Sequence, residues 1–171
     1  KKPTICIVEI MGRNAGWLTG ATALARTEEC EGPDLIYLPE VVFDIDKFLK
    51  TTTELLKKKE SVIIAVSEGI KLADGRYVCE LSGGADYVDA FGHKQLQGTA
   101  AYLAGFLGAE TGCKTRSIEF STLQRSASHM ASRVDVDEAF MVGGAAVKAA
   151  DEGDTGKMVV IDRVADDPYM S

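Results

Sequence analysis

Basic residues are in short supply: 19 lysines and arginines face 26 aspartates and glutamates in 171 residues, a formal net charge of −7. That balance argues against general nucleic-acid or anionic-membrane binding, because both surfaces attract a basic excess. A small anion stays open as a ligand, since a few local arginines suffice for one. Long apolar runs are also missing. None approaches the roughly 20 residues of a membrane span, and the first residues do not follow the pattern of a signal peptide. There are only two histidines, and Cys6, Cys30, Cys79 and Cys113 stand far apart with no paired metal spacing. They read as reduced cysteines of a cytoplasmic protein, serving mostly in packing. An initiator methionine is absent too: Lys1-Lys2-Pro3 leads straight into a buried-looking strand, as expected of a piece of a longer protein. The length suits one domain or one large lobe, able to hide roughly 70% of its unfolded surface.

What is present is an alternation of apolar strands with helical patterns, the signature of a mainly parallel sheet flanked by helices, an α/β fold of three layers (α/β/α). Ile5 to Ile10 predicts a strand interrupted only by Glu9, followed by a helix from Ala15 to about Glu28 with Asn14 as cap. Asp34 to Leu38 predicts the next strand, closed by Pro39. Asp44 can cap a helix whose Ile45, Phe48, Leu49, Thr52, Leu55 and Leu56 recur at helical spacing, with Lys57-Lys58-Lys59 as a solvated terminus. Ser61 to Val66 is a third strand. Ala73 to Tyr77 reads as a turn and Leu81 to Ala85 as a loop. A helix from about Gln95 to Leu107, a strand from Arg116 to Ser121 and a helix from Arg133 to Asp151 follow. Val136, Ala139, Phe140, Gly143, Val147 and Ala150 mark a buried stripe on the last helix, with Ser132 and Asp135 as a capping pair. Gly143-Gly144 within it implies close packing against a neighbour. Lys157 to Ile161 closes the pattern as a strand. No repeat, low-complexity tract or linker interrupts residues 1–171, which read as one compact lobe.

Ligands of parallel α/β sheets sit outside the carboxyl ends of the strands. Three predicted strand ends carry reactive or charged groups: Met11-Gly12-Arg13, Ser67-Glu68-Gly69 and Gln124-Arg125, with His129 and Arg133 just beyond the last. One crevice holding three arginines, a carboxylate and a histidine fits a sugar phosphate. The arginines would grip the phosphate through charge-assisted bonds of about 1.5–3 kcal/mol each, and the carboxylate would take hydroxyls. A helix start after Arg13 would add unpaired amides that favour a phosphoryl group, with Gly12 and Gly16 clearing side-chain bulk from its approach. Taken singly, each residue has a plainer reading. Arg13 suits a surface ion pair, Glu68 a helix cap or lysine partner, His129 a helix start and Arg133 solvent. Glu9 reads as a buried partner for a basic group, Trp17 as a core anchor of its helix, and His93 as a loop or interface residue.

Four blocks in order give a more specific signal: Val8-Glu9-Ile10-Met11-Gly12-Arg13-Asn14-Ala15-Gly16-Trp17; Ser67-Glu68-Gly69-Ile70; Asp89-Ala90-Phe91-Gly92-His93-Lys94-Gln95-Leu96; and Leu123-Gln124-Arg125. Together they resemble the phosphofructokinase family. Gln124-Arg125-Ser126-Ala127-Ser128-His129, with Ala131-Ser132-Arg133 and Asp137-Glu138-Ala139, is similar to the diphosphate-dependent and related long forms. The usual bacterial ATP enzyme has Gln-Arg-Gly-Gly there. The resemblance implies that Met11, Gly12 and Arg13 contact fructose 6-phosphate, with Arg13 also facing the phosphoryl group in flight. It implies that Glu68 holds sugar hydroxyls and that Arg125 binds the sugar's phosphate, in many members across a subunit interface. His129 and Arg133 stand where the family places further phosphate-binding residues, in a loop of different length. Thr4 stands where ATP enzymes often have an arginine, a contact that Lys1 or Lys2 would have to replace.

The family's catalytic aspartate, glycine-rich donor loop and metal-binding acid have no counterpart here: neither Thr-Ile-Asp-Asn-Asp nor a Gly-Gly-Asp block occurs. The resemblance therefore implies the carboxyl-terminal, sugar-phosphate-binding lobe of a two-lobe glycolytic enzyme that makes fructose 1,6-bisphosphate from fructose 6-phosphate and diphosphate. The phosphoryl-donor lobe, with the Mg2+ that accompanies the donor, would lie elsewhere, and residues 1–171 alone would be inactive. ATP as donor, or a non-catalytic sugar-phosphate-binding lobe, are the alternatives. Cross-subunit pockets in the family imply a homodimer or homotetramer.

Overall fold

A computed structural model describes residues 3–82 and 98–171, which fall into two compact units, Lys1–Arg125 and Ser126–Ser171. The sequence read as a single compact lobe, so this division is a difference from expectation. The block 89–96 with His93, the start of the Gln95 helix, Gly83 to Ala85 and Lys1-Lys2 lie outside the described residues.

The first unit is built on a four-stranded parallel sheet. Its strands are β1 (Thr4–Ile10), β2 (Leu35–Tyr37), β3 (Ser61–Ser67) and β4 (Lys114–Glu119), in the order β2-β3-β1-β4. β1 is central, with Ile7 opposite Ile64 on one side and Cys6 opposite Arg116 on the other. Helix α2 (Ile45–Leu56) and helix α3 (Thr99–Thr111) bring Phe48, Leu103 and Leu107 onto Ile5, Ile7, Val62, Ile64 and Val66 to form the core. Burying each large apolar side chain of this set stabilises the fold by about 1.5–3 kcal/mol. Asp44 caps α2 as expected, its Oδ1 accepting the Lys47 amide at 2.9 Å. Lys59 is not a purely solvated tail residue. Its ammonium pairs with Glu31 and, at 2.6 Å, with Asp34, whose other oxygen accepts the Ile63 amide at 2.8 Å.

The element after β1 is shorter than predicted. Helix α1 spans only Trp17–Ala21, continues as a 3-10 turn over Thr22–Ala25, and is preceded by Gly16 rather than capped by Asn14. The chain folds back there because the Arg26 guanidinium donates to the carbonyls of Glu31 and Pro33. Gly32, at φ +64°, lets that return pass close to the Arg26 backbone. Trp17 does not anchor the core; it is 86% exposed. β4 starts and ends two residues earlier than predicted, and Ser121, at φ +43°, turns the chain sharply into helix α4 (Ser121–Arg125).

In the second unit, helix α5 (Arg133–Asp151) has the predicted bounds, but its capping pair makes no side-chain cap bond. The predicted buried stripe is open to solvent, Phe140 by 85%, and nothing lies within 4 Å of where a Cβ would stand on Gly143 or Gly144. The close packing expected of that glycine pair is therefore absent among the described residues. Instead α5 buries Glu138, which accepts the Tyr169 hydroxyl. Residues 157–161 run without a ladder partner among the described residues, so the predicted closing strand does not form. A short antiparallel pair, β5 (Ala165–Asp166) with β6 (Tyr169–Met170), ends the unit. Among the described residues no helix is long and apolar enough to cross a membrane.

Candidate functional site

The carboxyl ends of β1, β3 and β4 meet at one edge of the sheet, because parallel pairing sets Ile10 opposite Ser67 and Glu9 opposite Glu119. There an open cavity of about 480 Å³ is lined by Met11, Gly12, Arg13, Glu68 and Arg125, with Leu18 and Gln124. Its size falls within the range of small-molecule sites. Five of the seven residues expected from sequence thus share one cavity in the first unit. His129, in a 3-10 turn over Ser128–Met130, and Arg133, the first residue of α5, belong to the second unit. There the Arg133 Nε pairs with Asp137 Oδ2 at 3.3 Å.

The loop after β1 is fixed by side chains from the other two strand ends. Gln124 Oε1 accepts the Met11 amide at 3.0 Å, and Glu68 Oε1 accepts the Gly12 amide at 3.1 Å. The Ser67 hydroxyl donates to the Gly12 carbonyl and accepts the Gly69 amide at 3.1 Å. Gly12 takes φ +148°, a conformation that a side chain rarely adopts. Gly69 lies so near the chain that an added Cβ would stand 1.8 Å from the Arg13 carbonyl oxygen. The loop backbone is therefore held on three sides before any ligand enters.

One sequence expectation changes here, and another narrows. Three amides flanking Arg13 are already engaged: those of Met11 and Gly12 are taken as above, and the Gly16 amide donates to Glu40 at 2.6 Å. Gly16 does not clear an approach for a ligand, because a Cβ there would meet Glu40, Pro39 and Leu38 within 3.0 Å. Its smallness lets α1 sit against the turn after β2. Gln124 and Gly69 are working parts of the site that sequence reasoning quoted within motifs but gave no role. The signal was positional, since each adjoins a residue singled out for charge.

Glu9 is 6% exposed, and among the described residues no basic group of the kind expected pairs with it. Its Oε2 accepts the Ala100 amide at 2.8 Å in the first turn of α3. Burial pushes its pKa from the usual 4.5 up to about 7; the Ala100 amide works against that rise, while Glu119 and Glu68 add to it. The folded protein thus holds a proton that the unfolded chain releases between these values, so this group makes stability fall as pH rises from about 4.5 to about 7. Glu9→Gln, which keeps an acceptor without the charge, is expected to flatten that fall. The difference should reach up to about 3 kcal/mol, read by urea unfolding at pH 5 and pH 8. An unchanged pH slope in the variant would remove Glu9 as its source.

The sequence profile of the family described as "Phosphofructokinase" matches residues 2–150. A pyrophosphate–fructose 6-phosphate 1-phosphotransferase of Halomonas elongata is 41% identical over 165 residues, covering 96% of this chain and 38% of its own length. The protein of the same name from Xanthomonas campestris is also 41% identical, covering 96% of this chain and 39% of its own length. The chain therefore spans about two fifths of the length of these curated relatives. Among solved structures, the pyrophosphate-dependent phosphofructokinase of Nitrosospira multiformis superposes with a TM-score of 0.63 at 33% identity, over 99% of this chain and 38% of its own.

Proposed function

Since this chain belongs to the phosphofructokinase family, we propose that it is the sugar-phosphate-binding part of a diphosphate-dependent enzyme that phosphorylates fructose 6-phosphate at its C1 hydroxyl. The observation that carries the reading is the single cavity lined by Arg13, Glu68 and Arg125 at the ends of three strands. Two guanidinium groups and one carboxylate divide the work. Arg125, exposed at the end of α4, takes the phosphate already on the sugar, for which its planar fork is suited. A carboxylate would repel that phosphate, so Glu68 takes sugar hydroxyls and sets which end of the sugar points at Arg13. Arg13 then meets the phosphoryl group as it passes from diphosphate to the C1 oxygen. The names of the relatives support diphosphate as donor. His129 and Arg133 belong to the proposal through their motif alone.

Catalysis also needs an acceptor for the hydroxyl proton and a metal on the donor. Among the described residues no group of three histidine, cysteine or carboxylate side chains gathers to hold a metal ion. In this proposal Mg2+ and the catalytic base are supplied by a donor lobe outside these residues, in a cytoplasmic enzyme. The purified 171-residue chain is accordingly expected to form no fructose 1,6-bisphosphate in a steady-state assay.

Arg125→Ala in the full-length enzyme tests the reading directly. Loss of a charge-assisted phosphate contact of about 1.5–3 kcal/mol should raise the KM for fructose 6-phosphate by about 10- to 150-fold. The KM for diphosphate should stay put. An unchanged KM for the sugar would show that the phosphate pocket lies elsewhere.

A further inference from the structure

We infer that Glu9, which reaches no face of the cavity, is a positioning residue for Glu68, acting through the first turn of α3. The inference rests on the sugar-binding role proposed for Glu68.

The first turn of a helix leaves amides without intrahelical partners, and a side chain at the cap position usually takes one of them. In α3 the cap position is Gly98, at φ +86°, which offers no side chain. Thr99 and Ala100 are completely buried, so water does not reach their amides. Glu9, from the central strand, stands in for the missing cap by accepting the Ala100 amide at 2.8 Å. A carboxyl group there also meets the positive end of the helix dipole.

The same helical turn holds Glu68. The Thr99 hydroxyl donates to the Glu68 carbonyl at 3.2 Å, while the Glu68 amide donates to the Ile10 carbonyl at 3.0 Å. The Glu68 peptide is thus gripped at both ends, by the residue that follows Glu9 in the chain and by the helix start that Glu9 caps. From that seat the Glu68 carboxylate takes the Gly12 amide and lines the cavity. Without the Glu9 carboxyl, the Thr99 end of the grip loosens first. A cap serving only overall stability would instead weaken the whole unit evenly.

Amide exchange on the 171-residue chain separates these cases. Glu9→Ala should speed exchange at Glu68 and Gly69 by about tenfold while Val62 and Ile64 in β3 keep their wild-type rates. Glu9→Gln should restore protection, since its amide oxygen can accept the same N–H. Thr99→Val removes the second link and should reproduce the effect at Glu68; it also decides the matter if Glu9→Ala does not fold. In the full-length enzyme, Glu9→Ala and Thr99→Val should each raise the KM for fructose 6-phosphate by about tenfold, with the KM for diphosphate changed by less than about twofold. Equal acceleration at Glu68, Val62 and Ile64, or none at Glu68 in either variant, would overturn the inference. Exchange as expected, in an enzyme that does not turn over fructose 6-phosphate, would keep the role of Glu9 and discard the proposed function.

Discussion

Arg13→Ala in the full-length enzyme is expected to lower kcat by about 100- to 1000-fold, the usual cost of removing one preorganised group that stabilises transition-state charge. The KM for fructose 6-phosphate should change by less than about fivefold, because the sugar's ground-state contacts are assigned to Glu68 and Arg125. The size of the effect follows from how the residue is mounted. Gly12 is held at its amide by Glu68 and at its carbonyl by Ser67, and Gly69 presses on the Arg13 backbone. A half-buried arginine on such a base needs little rearrangement when charge develops. Arg13→Lys, which keeps the charge and loses the planar fork, should recover only part of the turnover. A large rise in KM with kcat intact would make Arg13 a ground-state ligand and remove it from the transfer step.

Gly69→Ala should be the most damaging single methyl group among the described glycines of the first unit. The new Cβ would lie 1.8 Å from the Arg13 carbonyl oxygen, 2.5 Å from its carbon and 2.7 Å from its Cα. All three are backbone atoms, so no change of rotamer relieves the clash; the loop over residues 11–13 must move. Overpacking of this kind costs about 1–3 kcal/mol or more, visible as a lower urea midpoint. Turnover should fall by about 100-fold in addition, because a displacement near 1 Å at a positioned group is enough to do that. Gly16→Ala makes a useful contrast. It crowds Glu40 and Pro39 on the far side of the loop, so stability should suffer more than turnover. Wild-type stability and turnover in Gly69→Ala would show that the loop is not held where it is described.

Sequence gave away those parts of the fold whose signals are local. The apolar runs of β1 and β3, the Asp44 cap with the apolar period of α2, and the bounds of α5 could all be read from the chain itself. The misreadings concern features decided at a distance. The return of the chain after α1 depends on Arg26 finding the carbonyls of Glu31 and Pro33, which no helical period encodes. An apolar stripe does not say what covers it, and a β-rich segment such as 157–161 becomes a strand only beside a partner. At the site, charge and glycine spacing pointed to Met11, Gly12, Arg13, Glu68 and Arg125, and parallel topology brought them together. The supporting roles of Gln124, Gly69 and Glu9 rest on single long-range hydrogen bonds or close approaches, to which composition and periodicity are blind.

The place of β1 between β3 and β4 has a bearing on how the protein is made. Translation delivers the Met11 loop before either row of backbone bonds that seats its strand, the second arriving only with Lys114 to Glu119. Until then a nascent chain exposes an unpaired parallel edge along β1, the sort of surface that recruits other chains. A ribosome stalled ahead of Lys114 would therefore release an aggregation-prone intermediate, not a smaller version of the pocket.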